Sequence, residues 1–306
     1  MENNKTFKNI SLKQNIPKHK IIADYLKCKS KYKLSFDEYY NMHFYEFDEN
    51  KREEILTPTI SNKLINQLNP FEKRYLIVSK NEFNHRFDKY IKRDWLLLDE
   101  KNNEEFRLFI KSRDFIFVPA LDNHKPEIID ITRSNEWQLH QELINTNHYI
   151  VEEIVKHHNK FNIITDQTLI TIKFITLLNN NQVHILGCYL DIEINEEKYY
   201  IPNDLTSGKT LTKAINNNEI VDNINDYQVK SFKIPLWKTT LKMVEQLPYV
   251  IPELKYVSFE VAITDKEPIL ISASDEPNYL ILQHPLYLEN HDGLLKQINN
   301  ILGGNL

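Results

Sequence analysis

Glu152, Glu153, His157 and His158 form the densest cluster of ionisable side chains in the sequence. In a helix, Glu153 and His157 would stand four apart on one face and could share a metal ion. In an extended chain the same residues are a strand-end carboxylate pair followed by a solvated turn. Lys173 lies inside the apolar run Leu169 to Thr176, where alternation places it on one face with Thr171 and Ile175. Buried there, its ammonium would need an anionic partner; on a half-exposed sheet it would face solvent. Ser272, Ser274 and Asp275 follow a strand, but no glycine flanks either serine as in a nucleophile elbow, which argues against a hydrolase. Cys28 and Cys188 match no metal or redox spacing, and no disulfide framework is expected.

The elements that must carry these residues change period along the chain. Residues 18–68 show helical spacing, in Ile21, Ile22, Tyr25 and Leu26, then Phe36, Tyr39, Tyr40 and Phe44, then Ile60, Leu64 and Leu68. Phe83 and Phe87 share a face of a helix opened by Lys80, and Trp95 to Leu98 reads as a strand. Asn102 or Asn103 can cap a helix bearing Phe106 and Phe109, Phe115 to Val118 is a strand, and Ser134 can cap a helix through Trp137, Leu139 and Leu143. From Tyr149 strands dominate: Tyr149 to Val155, Leu169 to Leu178, Val183 to Ile194 and Lys198 to Ile201. The asparagines at 179–181 predict an antiparallel hairpin. The Asn-rich stretch 216–225 reads as a loop, Pro235 as the first residue of a helix, Tyr256 to Thr264 and Pro268 to Ser272 as strands, and Leu294 to Leu302 as a final helix.

Composition narrows the function. With 38 Lys plus Arg against 43 Asp plus Glu, the formal charge is −5, which is no basic footprint for nucleic acid. The aromatic residues are scattered and read as core rather than as a base-stacking platform. Average usage would put about twenty glycines in a chain of this length, and there are five, none clustered before residue 303. A P-loop, a dinucleotide fingerprint or a kinase-type glycine lid is therefore excluded. The polar N-terminal stretch lacks a signal-peptide core and apolar runs are broken by charge, so a cytoplasmic, not membrane-spanning protein is expected.

The order of elements and several passages resemble the sugar-transfer-associated ATP-grasp family, which is linked to bacterial surface-glycan gene clusters and is related to carboxylate-amine ligases, the alpha-L-glutamate ligases among them. The resemblance spans roughly residues 35–300 and is carried by Lys80 to Leu96, VEEIVKHH at 151–158, LITIKFIT at 169–176, IPLW at 234–237 and the stretch Val257 to Gln283. It implies an α+β ATP-grasp fold, with two α+β lobes enclosing a nucleotide-type cleft. The lobes would be a central one at 76–150 and a C-terminal one with an antiparallel sheet at 151–306, preceded by a helical segment at 1–75.

The resemblance also assigns roles. Lys80 matches the lysine that reaches a phosphate oxygen, and Glu152 and Glu153 match the hinge that holds adenine and ribose. Lys173 replaces an arginine, keeping the sign but losing the bidentate fork, and Glu260 replaces a metal-binding aspartate. Other positions depart from the family. Its second phosphate lysine is Val118, its glycine-rich lid is Leu121 to Pro126, an asparagine is Ile170, and two magnesium ligands are Ser272 and Ser274. Neutral hydroxyls are weak substitutes for carboxylates around Mg²⁺.

An intact member would join a carboxylate to an amine through an acyl phosphate, using ATP and Mg²⁺. The departures imply weakened or lost ligase activity, with a glycan or small-molecule acceptor, or glycan-assembly proteins, as partners. Two alternatives stand beside this. In one, a working ligase recruits Asp275 or Glu276 and Lys125 into a rearranged site; in the other, a non-enzymatic module uses the fold for a protein partner.

Overall fold

The computed structural model describes residues 2–120, 125–132 and 134–304. The replaced lid falls mostly on residues 121–124, outside the described ones.

Helical spacing in the first part of the chain produces the helices Glu2–Gln14, Lys18–Tyr32, Phe36–Asn41, Glu49–Arg52 and Pro58–Leu68. The third is started by a capping box. The Glu38 backbone N–H donates to Ser35 Oγ, and the Ser35 N–H donates to Glu38 Oε2 at 2.6 Å. Arg52 ties these helices together, its two terminal nitrogens donating to the Asp24 carboxylate at 2.8 Å each and its Nε to the Phe44 carbonyl at 2.9 Å.

Two sheets follow. Strands β1 (Trp95–Leu97), β2 (Phe115–Val118), β3 (Glu127–Asp130) and β4 (Ile150–Glu152) form a sheet of order β1-β4-β2-β3. It packs on the helices Asn103–Ile110 and Glu136–Asn145 through Phe106, Ile116, Val118, Leu139, Leu143 and Val151.

The larger sheet is built from β5 (Thr171–Asn179), β6 (Gln182–Ile194), β7 (Glu197–Asn203), β8 (Ala214–Asn216) and β9 (Glu219–Val221). A two-stranded hairpin, β10 (Asn223–Ile224) with β11 (Tyr227–Gln228), stands apart, and β12 (Tyr256–Ile263) and β13 (Pro268–Ser274) complete the large sheet. Its order is β13-β12-β5-β6-β7-β8-β9, antiparallel throughout. Asn180 and Asn181 close the β5–β6 hairpin with φ of 47° and 59°. Two left-handed residues match the twist of the paired strands, and asparagine tolerates that backbone.

Both faces of this sheet are buried over much of their area, which is why its strands read as nearly continuous apolar runs. One face, with Phe174, Leu190, Phe259 and Val261, packs on Phe83, Phe87, Ile91, Trp237 and Val244. The other, with Ile175, Leu177, Tyr189 and Tyr256, packs on Ile10, Ile21, Tyr39 and Leu64 from the N-terminal helices and on Leu294 and Ile298 from the helix Leu294–Leu302. Side-chain amides fix the joints. Leu56 and Gln283 exchange two hydrogen bonds at 2.6 and 2.9 Å, and Asn69 and Tyr256 exchange two at 2.6 and 3.0 Å.

Several expectations need correction. The helix Glu136–Asn145 is capped by Asn135, whose Oδ1 accepts from the Gln138 N–H at 3.1 Å, so Ser134 lies one residue outside. Residues 216–225 are not a loop but the end of β8, all of β9 and β10, and the turns that follow them. Asn217, Asn218 and Asn225, with φ of 46°, 66° and 48°, stand in those turns. Pro235 precedes its helix, which starts at Trp237 after Leu236 with φ of 52°. The strand at 149–155 is only Ile150–Glu152.

The helical option at 153–157 also fails. The chain there is irregular, and His157 Nδ1 accepts from the Ile170 N–H at 3.0 Å while its Nε2 lies 3.1 Å from Asn162 Oδ1. Among the described residues no three His, Cys, Asp or Glu side chains are placed to hold a metal. No helix there is long and apolar enough to cross a membrane.

Candidate functional site

In an antiparallel pair, residues directly opposite each other share a face. The register sets Lys173 opposite Tyr189 on β6 and opposite Glu260 on β12, and Glu260 opposite Ser272 on β13. Thr171 pairs with Asp191 one step along. Four strands thus place a row of polar groups on one face, beyond the area covered by the N-terminal helices.

The row is closed on itself. Lys173 Nζ lies 3.0 Å from Asp191 Oδ2. The Glu260 carboxylate accepts from Thr171 Oγ1 at 2.7 Å and from Ser272 Oγ at 2.6 Å. Burial alone would lower the Lys173 pKa, but Glu260 and Asp191 outweigh it and raise the pKa. Burial pushes the Asp191 carboxyl up, against the pull of Lys173.

A second cluster sits at the sheet edge, and a β-bulge makes room for it. Glu260 pairs with Ser272 and Val261 with Leu270, which leaves Ile271 without a partner on β12. The Ile271 carbonyl accepts instead from Lys80 Nζ at 3.2 Å and from Arg93 Nη2 at 3.3 Å. Arg93 Nη1 donates to the Leu270 carbonyl at 2.7 Å and Arg93 Nε to Glu152 Oε2 at 3.0 Å. Glu152 Oε1 accepts from Asn84 Nδ2 at 2.8 Å and lies 3.2 Å from Lys80 Nζ.

Glu152 is 2% exposed and ends β4 between β1 and β2, so the cluster joins the small sheet to the edge of the large one. Burial would raise the Glu152 pKa, but Lys80 and Arg93 outweigh it and hold the carboxyl below its usual range. Burial draws Lys80 down, against Glu152.

The structure therefore brings Lys80 and Glu152 into contact and sets Lys173 and Glu260 on adjacent strands. Glu153 stands apart. It is exposed, and the Asp94 N–H donates to its Oε2 at 3.2 Å. Asp275 lies 3.6 Å from Arg74 Nε, Ser274 is held in a turn with Glu276, and Lys125 is exposed.

Arg93, Asn84 and Asp191 were not singled out as site residues. Asp191 left one signal, an acid interrupting an apolar strand in the run Tyr189 to Ile192. Arg93 left none, because its partners are the carbonyls of a bulge that only pairing reveals.

The ion that the resemblance implies is Mg²⁺. It prefers near-octahedral hard oxygen ligands, usually carboxylates supplemented by phosphate and water. Here the row holds two carboxylates: both oxygens of Glu260 accept from hydroxyls, Asp191 is paired with Lys173, and the positions beyond Glu260 on β13 are serines. These residues do not fit a divalent metal.

The sequence model of one family, sugar-transfer associated ATP-grasp, matches residues 136–302, more than half of the chain. Glu152, Glu153, Lys173 and Glu260 fall inside the matched stretch and Lys80 outside it. No curated protein matches. Among solved structures, N5-carboxyaminoimidazole synthetase from Staphylococcus aureus is similar at 13% identity and a TM-score of 0.44, over 74% of this chain and 51% of that one. D-alanyl-alanine synthetase A from Vibrio cholerae is similar at 9% identity and a TM-score of 0.45, over 76% and 65%. The chain thus spans about half to two thirds of the length of these structures. An α+β protein whose two sheets meet at a buried ion cluster, with the larger sheet inside the matched stretch, belongs to the sugar-transfer associated ATP-grasp family.

Proposed function

We propose that this chain serves surface-glycan assembly as an ATP-grasp protein whose Mg-ATP-dependent ligase activity is weakened or lost. The observation that carries this is the self-satisfied polar row. Both oxygens of Glu260 are taken by Thr171 and Ser272, and Lys173 is paired with Asp191. An incoming triphosphate would have to compete with Asp191 for Lys173 and would bring its metal to a row whose two carboxylates already have partners. In this reading Lys80 and Lys173 stand at former phosphate positions, Glu152 and Glu153 at a former adenine and ribose hinge, and Glu260 at a former metal position. The division into segments 1–75, 76–150 and 151–306 belongs to the same proposal. So does the partner set, a glycan or small-molecule acceptor or other glycan-assembly proteins.

Isothermal titration of the full chain with ATP and Mg²⁺ is expected to show no micromolar binding. Thermal melting with the same ligands should show no metal-dependent rise. A ligand held at a hundred times its dissociation constant would add about 2.7 kcal/mol, a shift of several degrees. Micromolar, metal-dependent binding would overturn the proposal, and loss of that binding in Glu260→Gln would place it in this row.

A further inference from the structure

On the far side of the β6–β7 turn lies an open groove of about 580 Å³, bounded by residues 162–167, that turn and the β10–β11 turn. It contains none of Lys80, Glu152, Lys173 or Glu260. Its lining is unusual in kind. Five carboxamides contribute to it, from Asn162, Gln167, Asn195, Asn225 and Gln228. Asn162 is engaged with His157, whereas the side chains of the other four make no hydrogen bond among the described residues. Each carboxamide offers two donors and one acceptor side by side, the arrangement that pairs with neighbouring hydroxyls on a sugar ring.

Charge narrows the ligand. The lining carries two carboxylates, Asp166 and Asp226, against one ammonium, Lys230, and no arginine. A phosphate or a uronic acid would meet net repulsion there, and a neutral or amino sugar would not. Tyr227, half-buried against the core of the large sheet, adds an apolar surface suited to the C–H face of a pyranose.

The groove is also preformed. Asn195 and Asn225 sit at hairpin turns with φ of 53° and 48°, held by the pairs Ile194 with Glu197 and Ile224 with Tyr227. A backbone fixed by turn geometry holds these carboxamides at set positions, so less freedom is lost there when a ligand binds.

We infer that this groove binds a neutral, polyhydroxylated ligand, one or a few pyranose units of a glycan chain. The sugar-transfer reading supplies the biological source of such a ligand, and the inference rests on that reading for it. The state of the nucleotide row does not enter.

The test is saturation-transfer NMR on the full chain with maltotriose, N-acetylglucosamine trimer and sialyllactose as probes. Transfer to at least one neutral probe and not to the sialylated one is expected. Asn225→Gly keeps the left-handed backbone while removing the carboxamide, and Gln228→Ala is an exposed truncation. Each should weaken the neutral probe by about tenfold, the equivalent of one or two lost hydrogen bonds, with unchanged melting temperature. Asn181→Gly makes the same backbone change at a remote hairpin and should leave affinity unaltered. Absence of transfer from both neutral probes at millimolar concentration overturns the inference. So does preference for sialyllactose, or binding that survives both groove variants. A parallel Mg-ATP titration reports only on the nucleotide row, so the two proposals fail separately.

Discussion

Arg93→Ala is expected to lower the unfolding free energy by about 3–5 kcal/mol, the range for removing one partner of a buried ion pair. The side chains of Arg93 and Glu152 are 3% and 2% exposed, so water cannot replace what is lost. The variant strips Glu152 of its Nε contact and leaves the Leu270 and Ile271 carbonyls short of a donor. Denaturant titration with circular dichroism should show the midpoint fall at an unchanged slope. A loss below about 1 kcal/mol would mean the cluster behaves like an exposed salt bridge, which the geometry does not allow.

The same cluster sets a pH dependence. Its cations hold the folded-state pKa of Glu152 below the unfolded value, so the unfolded chain binds more protons in the interval between them. The contribution is complete above the ordinary carboxylate range and disappears as pH falls through that range and below. The stability difference between wild type and Glu152→Gln should therefore shrink on acidification. A difference that stays constant down to pH values well under the carboxylate range would remove this account.

The second large effect is Gly208→Ala. Gly208 has φ of +68°, and an added Cβ would lie 2.6 Å from Cδ1 and Cδ2 of Trp237. Neither side can retreat easily. The Gly208 N–H donates to the Asp204 carbonyl and its carbonyl accepts from the Ile234 N–H, each at 2.9 Å. Trp237 donates from Nε1 to the Leu205 carbonyl at 2.9 Å and stacks on Phe174 with ring centroids 5.7 Å apart. The left-handed backbone costs an alanine about 1–2 kcal/mol and the overpacked ring about 1–3 more. Gly303→Ala is the matched control, since φ there is +72° and nothing lies within 4 Å of the added Cβ. The difference between the two variants isolates the clash with Trp237, and equal losses would refute it.

Local patterns were legible wherever a few neighbouring residues decide the backbone. The helix at 294–302 and the asparagine hairpin after β5 follow from spacing and turn chemistry. At 216–225 asparagine abundance suggests one loop, whereas Asn217, Asn218 and Asn225 turn the chain between strands only two or three residues long and Asn216 and Asn223 lie within them. Pro235 does not open its helix because a left-handed leucine, Leu236, intervenes before Trp237. At the site, the ionisable residues within apolar or strand-end contexts could be picked out, but their partners could not. Lys173 needed an anion, and whether Asp191 or Glu260 supplied it depends on cross-strand register. The Arg93 anchor depends on a bulge that one unpaired residue, Ile271, creates.

The covering of the large sheet by helices from the opposite end of the chain bears on how the protein can be cut. Residues 136–302 carry the family match and all of the large sheet, yet one face of that sheet is roofed by Ile10, Ile21, Tyr39 and Leu64. Amides at Leu56 and Asn69 also close hydrogen bonds to Gln283 and Tyr256. A fragment trimmed to the matched stretch would present that apolar face to water and leave the backbone of Tyr256 and the side chain of Gln283 without their partners. The unit of inheritance and the unit of folding differ in this chain. During synthesis the first helices must wait, unroofing nothing and sheltered by nothing, until strands more than a hundred residues downstream arrive to complete them.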